Sequence, residues 1–215
     1  MSATSPVDQG EGEEEDFPLT EVDREVLSQT DEEFHYHNWD ELRSIIEDND
    51  LGVLKRKPSD LRRYMKWSAA TKAQYGSMTA FVCQERLHWT PLPPDDQTRT
   101  GTAFEVRNMT PFADPRDYKI LVNDWPYGLS PGITHLIVWS KTPIEVDATD
   151  GAITSGSRRL IEDFVGRTFT QKLTKGEDKV LWFKNWTALQ SVRSLEHVHV
   201  LVRDVPLGMI EEWTS

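Results

Sequence analysis

The sequence predicts an α+β protein in which a helical amino-terminal layer is followed by a mainly antiparallel sheet. Apolar residues recur at helical spacing from residue 17 to about residue 90. From residue 103 to 205 they fall instead in short β-branched and aromatic runs bounded by Pro, Gly, Asn and Asp, which is typical of strands. Because one strong helical pattern interrupts these runs, we expect an antiparallel sheet with helices on one face or end.

The composition predicts a single domain over residues 17–215, preceded by an acidic tail over residues 1–16. The chain has 215 residues, of which 37% are hydrophobic, so it can bury a substantial core. Its formal net charge is -12, and the first 16 positions hold six acidic residues and no Lys or Arg. A segment of this kind, without apolar periodicity, is expected to be disordered and solvated.

Charge, cysteine content and hydropathy exclude several classes of function. The acidic excess argues against nucleic acid as a partner, because binding to its phosphate backbone relies on clustered Lys and Arg. The single cysteine, Cys83, excludes an internal disulfide, and we expect it in the core. No apolar run approaches the roughly 20 residues that a membrane-spanning helix needs, and no secretory signal is recognisable. We therefore expect a cytoplasmic protein that does not bind membranes.

Helix start signals divide the amino-terminal layer. A capping residue followed three positions later by Glu occurs twice, and the second pair precedes an apolar face over residues 39–46. A proline then opens a second helix, which continues or restarts beyond a glycine. These signals are Thr30 with Glu33, Asn38 with Glu41, Pro58, and Gly76.

The sheet-containing part, residues 103–205, holds five predicted strands and one helix. The helix is expected over about residues 157–170, with Ser157 as its N-cap. The strands are expected at Ala103 to Arg107, Tyr118 to Val122, Thr134 to Trp139, Val180 to Phe183 and Val198 to Val202.

The last predicted strand carries a pair of candidate catalytic residues, His197 and His199. Residues i and i+2 of a strand point to the same side, so the two imidazoles should lie about 7 Å apart on one face. Such a pair can bind and attack a phosphate, one ring as nucleophile and the other as donor. It can also ligate a metal, or it can be two half-buried polar side chains of an ordinary strand.

A polar and aromatic turn precedes the second of the central strands. It begins at Asn123 and runs to Gly132, and it is richer in amide, carboxylate and aromatic groups than a plain hairpin requires. Side chains of this kind on a rigid sheet are typical of small-molecule sites, in which rings stack and polar groups fix orientation. The candidate substrate-binding residues here are Asn123, Asp124, Trp125, Tyr127 and His135.

No metal ligand and no cofactor is assigned from the sequence. A zinc site needs three or four ligands, which the His197 and His199 pair does not supply alone. His35 and His37 precede the Asn38 cap, and we expect both rings to lie in a loop against the core. The P-loop and the dinucleotide-binding Gly-rich fingerprint are absent.

The order of features over about residues 118–203 resembles the histidine-triad superfamily of nucleotide hydrolases and transferases. The matching features are Asn123 and Asp124, Pro126, Pro131-Gly132, His135, Lys141, the helix after Ser157, Asn185, Gln190-Ser191-Val192, and His197 with His199. The resemblance implies a histidine-triad-like fold, a histidine nucleophile, and contacts from Gln190, Ser191 and Arg193 to phosphate oxygens.

Two registers of that resemblance stay open. In one, Leu195 stands at the first alternating histidine, and His197 would be the nucleophile. In the other, Leu201 stands at the last one, and His199 would be the nucleophile. In both registers only two of the three alternating histidines are present.

Nearly the whole chain resembles the fungal family of N-acetylglucosamine-induced proteins. This resemblance implies a cytoplasmic protein whose expression in some fungi answers to amino-sugar supply. It does not imply that the sugar is bound. The segments that carry it are residues 18–20, 35–39, 123–128, 132–141, 189–194 and 197–200.

From the sequence we therefore expect a pocket for a phosphorylated small molecule, such as a nucleotide or nucleotide sugar, between residues 123–135 and the strand of His197 and His199. If the protein is an enzyme, it is a histidine-dependent phosphoryl or nucleotidyl hydrolase or transferase. The alternative is a non-catalytic regulatory or metabolite-sensing protein of the amino-sugar response.

Overall fold

The α+β class predicted from the sequence is confirmed. A computed structural model describes residues 19–93, 102–147, 149, 151–186, 189–190, 192 and 194–215, so the predicted acidic tail over residues 1–16 lies outside the described residues. The helices are α1 (Glu21–Leu27), α2 (Trp39–Glu47), α3 (Pro58–Tyr75), α4 (Met78–Phe81), α5 (Ser155–Thr168) and α6 (Leu207–Thr214). The strands are β1 (Tyr118–Val122), β2 (Ile133–Ser140), β3 (Val180–Phe183) and β4 (Glu196–Arg203).

The four strands form one antiparallel sheet in the order β1-β2-β4-β3. In the central pair, Trp139 of β2 lies opposite His197 of β4, and Ile137 lies opposite His199. Residues directly opposite in an antiparallel pair project from the same face. The two histidines of β4 therefore share a face with Ile137 and Trp139.

The opposite face of the sheet packs against α5 and α6. Its central valines and leucines are fully buried and meet apolar side chains of both helices, as the alternation along β2 and β4 requires. This core includes Leu136, Val138, Val198 and Val200 from the strands, with Ile161, Phe164 and Val165 from α5 and Ile210 from α6.

The histidine-bearing face packs against the amino-terminal helices. Met78, Val82 and Cys83 meet Trp139 of β2 in one cluster, and Cys83 is buried as predicted. Trp39 of α2 belongs to a second cluster at the β3 edge of this face. Helices thus cover both faces, whereas the sequence predicted them on one face or end. Both alternating sets of residues in the central strands are apolar enough to need cover.

The segment Ala103 to Arg107 is not a strand, contrary to the sequence prediction. Its Phe104 is buried against the helical layer. The amides of Arg107 and Asn108 donate to Asp117 Oδ2 at 2.7 and 2.8 Å, so a carboxylate replaces the neighbouring strand as their acceptor. β-branched and aromatic content alone therefore predicted the wrong element here.

The helix caps differ from the sequence prediction at two places. Thr154, and not Ser157, caps α5, because its hydroxyl accepts the Ser157 amide at 3.1 Å. Thr30 and Glu33 form the two capping-box hydrogen bonds, yet only a turn follows. The sequence prediction also missed α6, which is anchored by buried Ile210. Across the described part of the chain, no helix is both long and apolar enough to cross a membrane.

The segment before α2 is joined to the turn between β1 and β2. His37 donates its amide to the Gly128 carbonyl at 3.1 Å and accepts the Ser130 amide at 3.0 Å. Gly128 in turn donates to the Lys55 carbonyl at 2.8 Å. A Cβ atom at Gly128 would overlap the ring of Phe34, so this crossing of three segments requires glycine.

We predict that Gly128→Ala lowers the free energy of unfolding by about 1–3 kcal/mol, because the new methyl group forces the buried Phe34 ring to move. Gly52→Ala is the matched control, since nothing lies within 4 Å of its added Cβ. Denaturant unfolding of the two variants measures the difference. Equal stability of the two variants would show that the crossing is not tightly packed.

Candidate functional site

A cleft with an empty volume of about 750 Å³, including the solvent at its mouth, lies between the helical layer and the histidine-bearing face. Its walls combine aliphatic and aromatic side chains with a smaller number of polar groups, as ligand sites commonly do. The aromatic residues are Tyr64, Trp67, Phe81, Trp125, Tyr127 and Trp139, and the polar residues are Arg56, Arg86, Asn123, Asp124, Asn185, His197 and His199.

Three histidines from the two central strands converge at this cleft. The ring centroids of His197 and His199 lie 5.2 Å apart, which confirms that the two residues share a face. His135 of β2 lies 5.1 Å from His199 by the same measure. All three side chains are buried, and His135 lies behind the cleft wall. The strand register therefore brings together histidines that are 64 residues apart in the chain.

His135 and His199 form a hydrogen-bonded pair. His135 Nε2 lies 2.9 Å from His199 Nδ1, so one ring donates and the other accepts. The other nitrogen of His199 lies 3.3 Å from the amide of Asn185, and His135 Nδ1 lies 3.2 Å from the amide of Asn123. Two neutral rings joined in this way keep one acceptor nitrogen between them, so one of the two asparagine amides donates to the pair. These contacts fix the orientation of the rings.

His197 is held differently. Its Nδ1 donates to the carbonyl oxygen of Leu195 at 2.8 Å, which leaves Nε2 as the unprotonated nitrogen of the neutral ring. Among the described residues, Nε2 has no hydrogen-bond partner. The ring packs 4.9 Å from Trp139, centroid to centroid, and lines the cleft. The arrangement leaves an oriented lone pair in the wall.

Burial keeps all three histidines neutral near pH 7. Desolvation lowers the pKa of His135 to about 3 and that of His197 to about 4. It lowers the pKa of His199 well below the usual 6.5. The positive charge of Arg56 acts in the same direction on His135 and His199, and Lys184 does so on His197 and His199.

Arg56 is the cation of the cleft that lacks a carboxylate partner among the described residues. Its Nε donates to the Trp125 carbonyl at 3.1 Å, and its guanidinium lies 4.2 Å from the ring centroid of Tyr64. Arg86 instead pairs with Asp124 at 2.9 Å. The cleft therefore combines one uncompensated positive charge with neutral imidazoles, a balance that favours an anionic ligand.

Most of the predicted site residues come together, in different roles. Asn123, Asp124, Trp125 and Tyr127 line the cleft with His197 and His199, whereas His135 supports His199 from behind. Gln190 does not line the cleft; its amide donates to the Asn185 carbonyl at 2.7 Å and so supports the neighbouring wall. Ser191 and Arg193 lie outside the described residues.

Sequence reasoning missed the contribution of the helical layer to the cleft. Tyr64 and Arg56 were not singled out for the site, and the position of Arg56 before the Pro58 helix carries no motif. Trp67 and Tyr64 pack against Trp125 at centroid distances of 5.1 and 5.5 Å. Aromatic residues three apart on one helix were the available signal.

Fold and site together define an α+β protein with a histidine-lined cleft between a helical layer and an antiparallel sheet. The chain belongs to the family described as "Protein of unknown function (DUF3605)", which it matches over residues 38–203.

Two curated relatives and one solved structure are similar to the chain. "N-acetylglucosamine-induced protein 1" of Candida albicans is 30% identical over 184 residues, covering 82% of this chain and 72% of the relative. "Uncharacterized protein YPL067C" of Saccharomyces cerevisiae is 27% identical over 181 residues, covering 84% and 86%. The structure described as "Crystal Structure of HTC1" has a TM-score of 0.61 at 24% identity, covers 83% of this chain and 92% of the other, and shows the fold alone.

These similarities confirm the resemblance to the fungal N-acetylglucosamine-induced proteins. The partial resemblance to the histidine-triad superfamily, the cytoplasmic location and the roles of the individual site residues stay predictions.

We predict that the free energy of unfolding decreases as the pH is lowered through the window that the pKa values of the buried histidines set. Between about pH 6.5 and 4 the unfolded state binds a proton at His197 that the native state does not. The contribution of His197 to the free energy of unfolding is therefore full above this window, decreases as the pH falls through it, and changes no further below it. His135 extends the decrease to about pH 3. Each such histidine adds a slope of up to about 1.4 kcal/mol per pH unit.

His197→Asn removes one titrating group, so its unfolding free energy should fall less steeply with decreasing pH than that of the wild type. Denaturant unfolding at a series of pH values measures both slopes, with His88→Asn as the control for loss of an exposed histidine. Parallel curves for His197→Asn and wild type would contradict burial of a neutral His197 in solution.

Proposed function

We propose that the cleft binds a phosphorylated small molecule with a planar group, a nucleotide or a nucleotide sugar, and that His197 attacks its phosphorus. The observation that carries the proposal is the orientation of His197, whose Nδ1 donates to the Leu195 carbonyl and whose Nε2 lone pair is free among the described residues. A histidine becomes a nucleophile when a second group fixes its tautomer in this way.

The charge balance supports a phosphate group as the bound anion. Arg56 has no ion-pair partner among the described residues, and its charge acts on both His135 and His199. Guanidinium groups bind phosphate by paired, charge-assisted hydrogen bonds. The imidazoles near Arg56 are neutral, so they add no further positive charge to the cleft.

The aromatic walls support a planar group on the ligand. Trp67 and Trp125 form a tilted pair, and Tyr127 lines the same cleft and stacks on His135. Stacking on large aromatic side chains stabilises a bound nucleobase. Amides such as that of Asn123 orient sugar hydroxyls. Ser191 and Arg193 remain predicted contacts to phosphate oxygens.

The hydrogen bonding favours His197 over His199 as the nucleophile. His199 has one lone pair, which accepts from His135 in one tautomer and from the Asn185 amide in the other, so it is not available without breaking the network. In the proposed step, His197 Nε2 forms a bond to phosphorus, the phosphorus bond to the leaving oxygen breaks, and that oxygen takes a proton from solvent. Water then hydrolyses the phosphohistidine.

A second candidate is a non-catalytic metabolite sensor that uses the same cleft. The observation that favours it is the lowered pKa of all three histidines, which leaves no imidazolium near pH 7 to protonate a leaving group. The name of the Candida relative concerns induction by an amino sugar, which accords with a sensing role. Turnover distinguishes the two candidates.

We predict that Arg56→Gln weakens binding of the phosphorylated ligand at least about tenfold, or 1.4 kcal/mol, and leaves binding of its dephosphorylated analogue unchanged. A thermal-shift screen of nucleotides, nucleotide sugars and sugar phosphates identifies the ligand, and calorimetry with the matched pair measures affinity. Arg159→Gln, on the exposed side of α5, is the charge control. Equal loss for both analogues would place Arg56 in the fold and not in phosphate binding.

His197→Asn should retain ligand binding and abolish hydrolysis, since it removes the nucleophile while filling similar space. His199→Asn should instead lose about 1–3 kcal/mol of stability, because it breaks the bonds to His135 and Asn185. Binding without hydrolysis in the wild type supports the sensor. The proposal fails if no member of the panel binds the wild type.

A further inference from the structure

A second group of histidines lies outside the cleft, at the start of α2. His35 Nε2 lies 2.9 Å from Glu41 Oε1, and His37 Nδ1 lies 3.9 Å from Glu41 Oε2. In the described part of the chain, these three residues form the one set of three His, Cys, Asp or Glu side chains whose ligand atoms all lie within 4.8 Å of one another. The sequence prediction left His35 and His37 in a loop without a metal.

Two of the three side chains are oriented by bonds that do not involve the other members. Glu41 is the third residue of α2 and reaches back to accept the Asn38 amide at 2.8 Å, which holds its carboxylate at the helix start. His37 Nε2 donates to the Val53 carbonyl at 3.4 Å. That bond places the proton on Nε2 and turns the lone pair of Nδ1 toward Glu41, as is usual for metal-bound imidazoles.

The backbone beneath the group is also fixed. His37 pairs by two main-chain hydrogen bonds, at 3.1 and 3.0 Å, with Gly128 and Ser130 of the turn between β1 and β2. Glu41 thus lies in the first turn of α2, and His37 lies in an extended segment that is hydrogen-bonded to the turn between β1 and β2. His35 is largely exposed, with a side-chain accessibility of 67%, which leaves room for a water molecule as a further ligand.

We propose that His35 Nε2, His37 Nδ1 and the Glu41 carboxylate bind one divalent transition-metal ion of the zinc class. Metal bonds of 2.0–2.1 Å in a tetrahedral site place neighbouring ligand atoms about 3.3 Å apart. The contacts of 2.9 and 3.9 Å bracket that distance. Two imidazoles and one carboxylate suit Zn²⁺, Co²⁺ or Ni²⁺, whereas Mg²⁺ and Ca²⁺ prefer sites made of oxygen ligands.

Binding there joins the first turn of α2 to the segment that crosses the β1–β2 turn. The ion would therefore stabilise the native chain without entering the histidine-lined cleft. The inference rests on groups that the proposed function does not use, so it stands or falls separately from nucleotide binding.

The test uses the full chain after removal of metals with a chelator. Titration with Zn²⁺ should show about one equivalent bound and a rise in the thermal midpoint, and Co²⁺ should give the visible absorption of a site with nitrogen ligands. Mg²⁺ should raise the midpoint no more than an equal increase in ionic strength. A wild-type protein that binds no equivalent of Zn²⁺, or binds Mg²⁺ equally well, overturns the proposal.

Glu41→Gln is the sharpest variant, because glutamine keeps the capping-box bond to Asn38 and loses the charged ligand. We expect Glu41→Gln and His35→Asn each to weaken Zn²⁺ binding about tenfold or more, with little change in the thermal midpoint of the metal-free protein. His88→Asn and His197→Asn are the controls and should bind Zn²⁺ as the wild type does. Full binding by Glu41→Gln, or loss of binding in His197→Asn, places the ion elsewhere and refutes the assignment.

Discussion

The antiparallel pairing of β2 with β4 determines where the groups of the candidate site lie. With Trp139 opposite His197 and Ile137 opposite His199, both histidines of β4 project toward the amino-terminal helices. A shift of this register by one residue would turn them into the fully apolar core beneath α5. The buried valines on the other face hold the register, since a shift would replace Val198 and Val200 with the two histidines in a core lined by apolar side chains.

Desolvation acts in the same direction on the three histidines that this register assembles, but their hydrogen bonds differ. It favours the neutral form of each, so the rings must be satisfied by hydrogen bonds in which one partner donates. His135 and His199 bond to each other, and one of the two asparagine amides beside them donates to the acceptor nitrogen that remains. Within the described part of the chain, His197 is hydrogen-bonded at one nitrogen alone, to a main-chain carbonyl, and this asymmetry separates a candidate nucleophile from its support.

The crossing at Gly128 links the cleft to the group at the start of α2. One glycine there accepts from the His37 amide and donates to Lys55, directly before Arg56, the cation of the cleft wall that no described carboxylate pairs with. The same crossing fixes Tyr127, which stacks on His135 with ring centroids 5.3 Å apart. One crowded main-chain contact thereby positions side chains both in the histidine-lined cleft and in the separate group at the start of α2.

Local patterns in the sequence determined the elements whose signals are complete within a few residues. The Asn38–Glu41 pair caps α2 as its spacing predicts, and the alternation in residues 197–199 places both histidines on one face. The local signals were wrong for Ala103 to Arg107, because a strand also needs a neighbouring strand as its hydrogen-bond partner. The amides of Arg107 and Asn108 donate instead to the Asp117 carboxylate. Periodicity predicts a conformation but does not identify the partner.

The pairing partners were decided by the tertiary structure alone. The contact of His135 with His199, the isolation of Arg56 from any described carboxylate, and the convergence of His35 with Glu41 all depend on distances between segments or on side-chain orientation. Those distances are set by strand register, by burial and by competition for each hydrogen-bond acceptor. All three causes act only once the chain is packed. The sequence therefore determined which residues face the same way, and packing decided which of them meet.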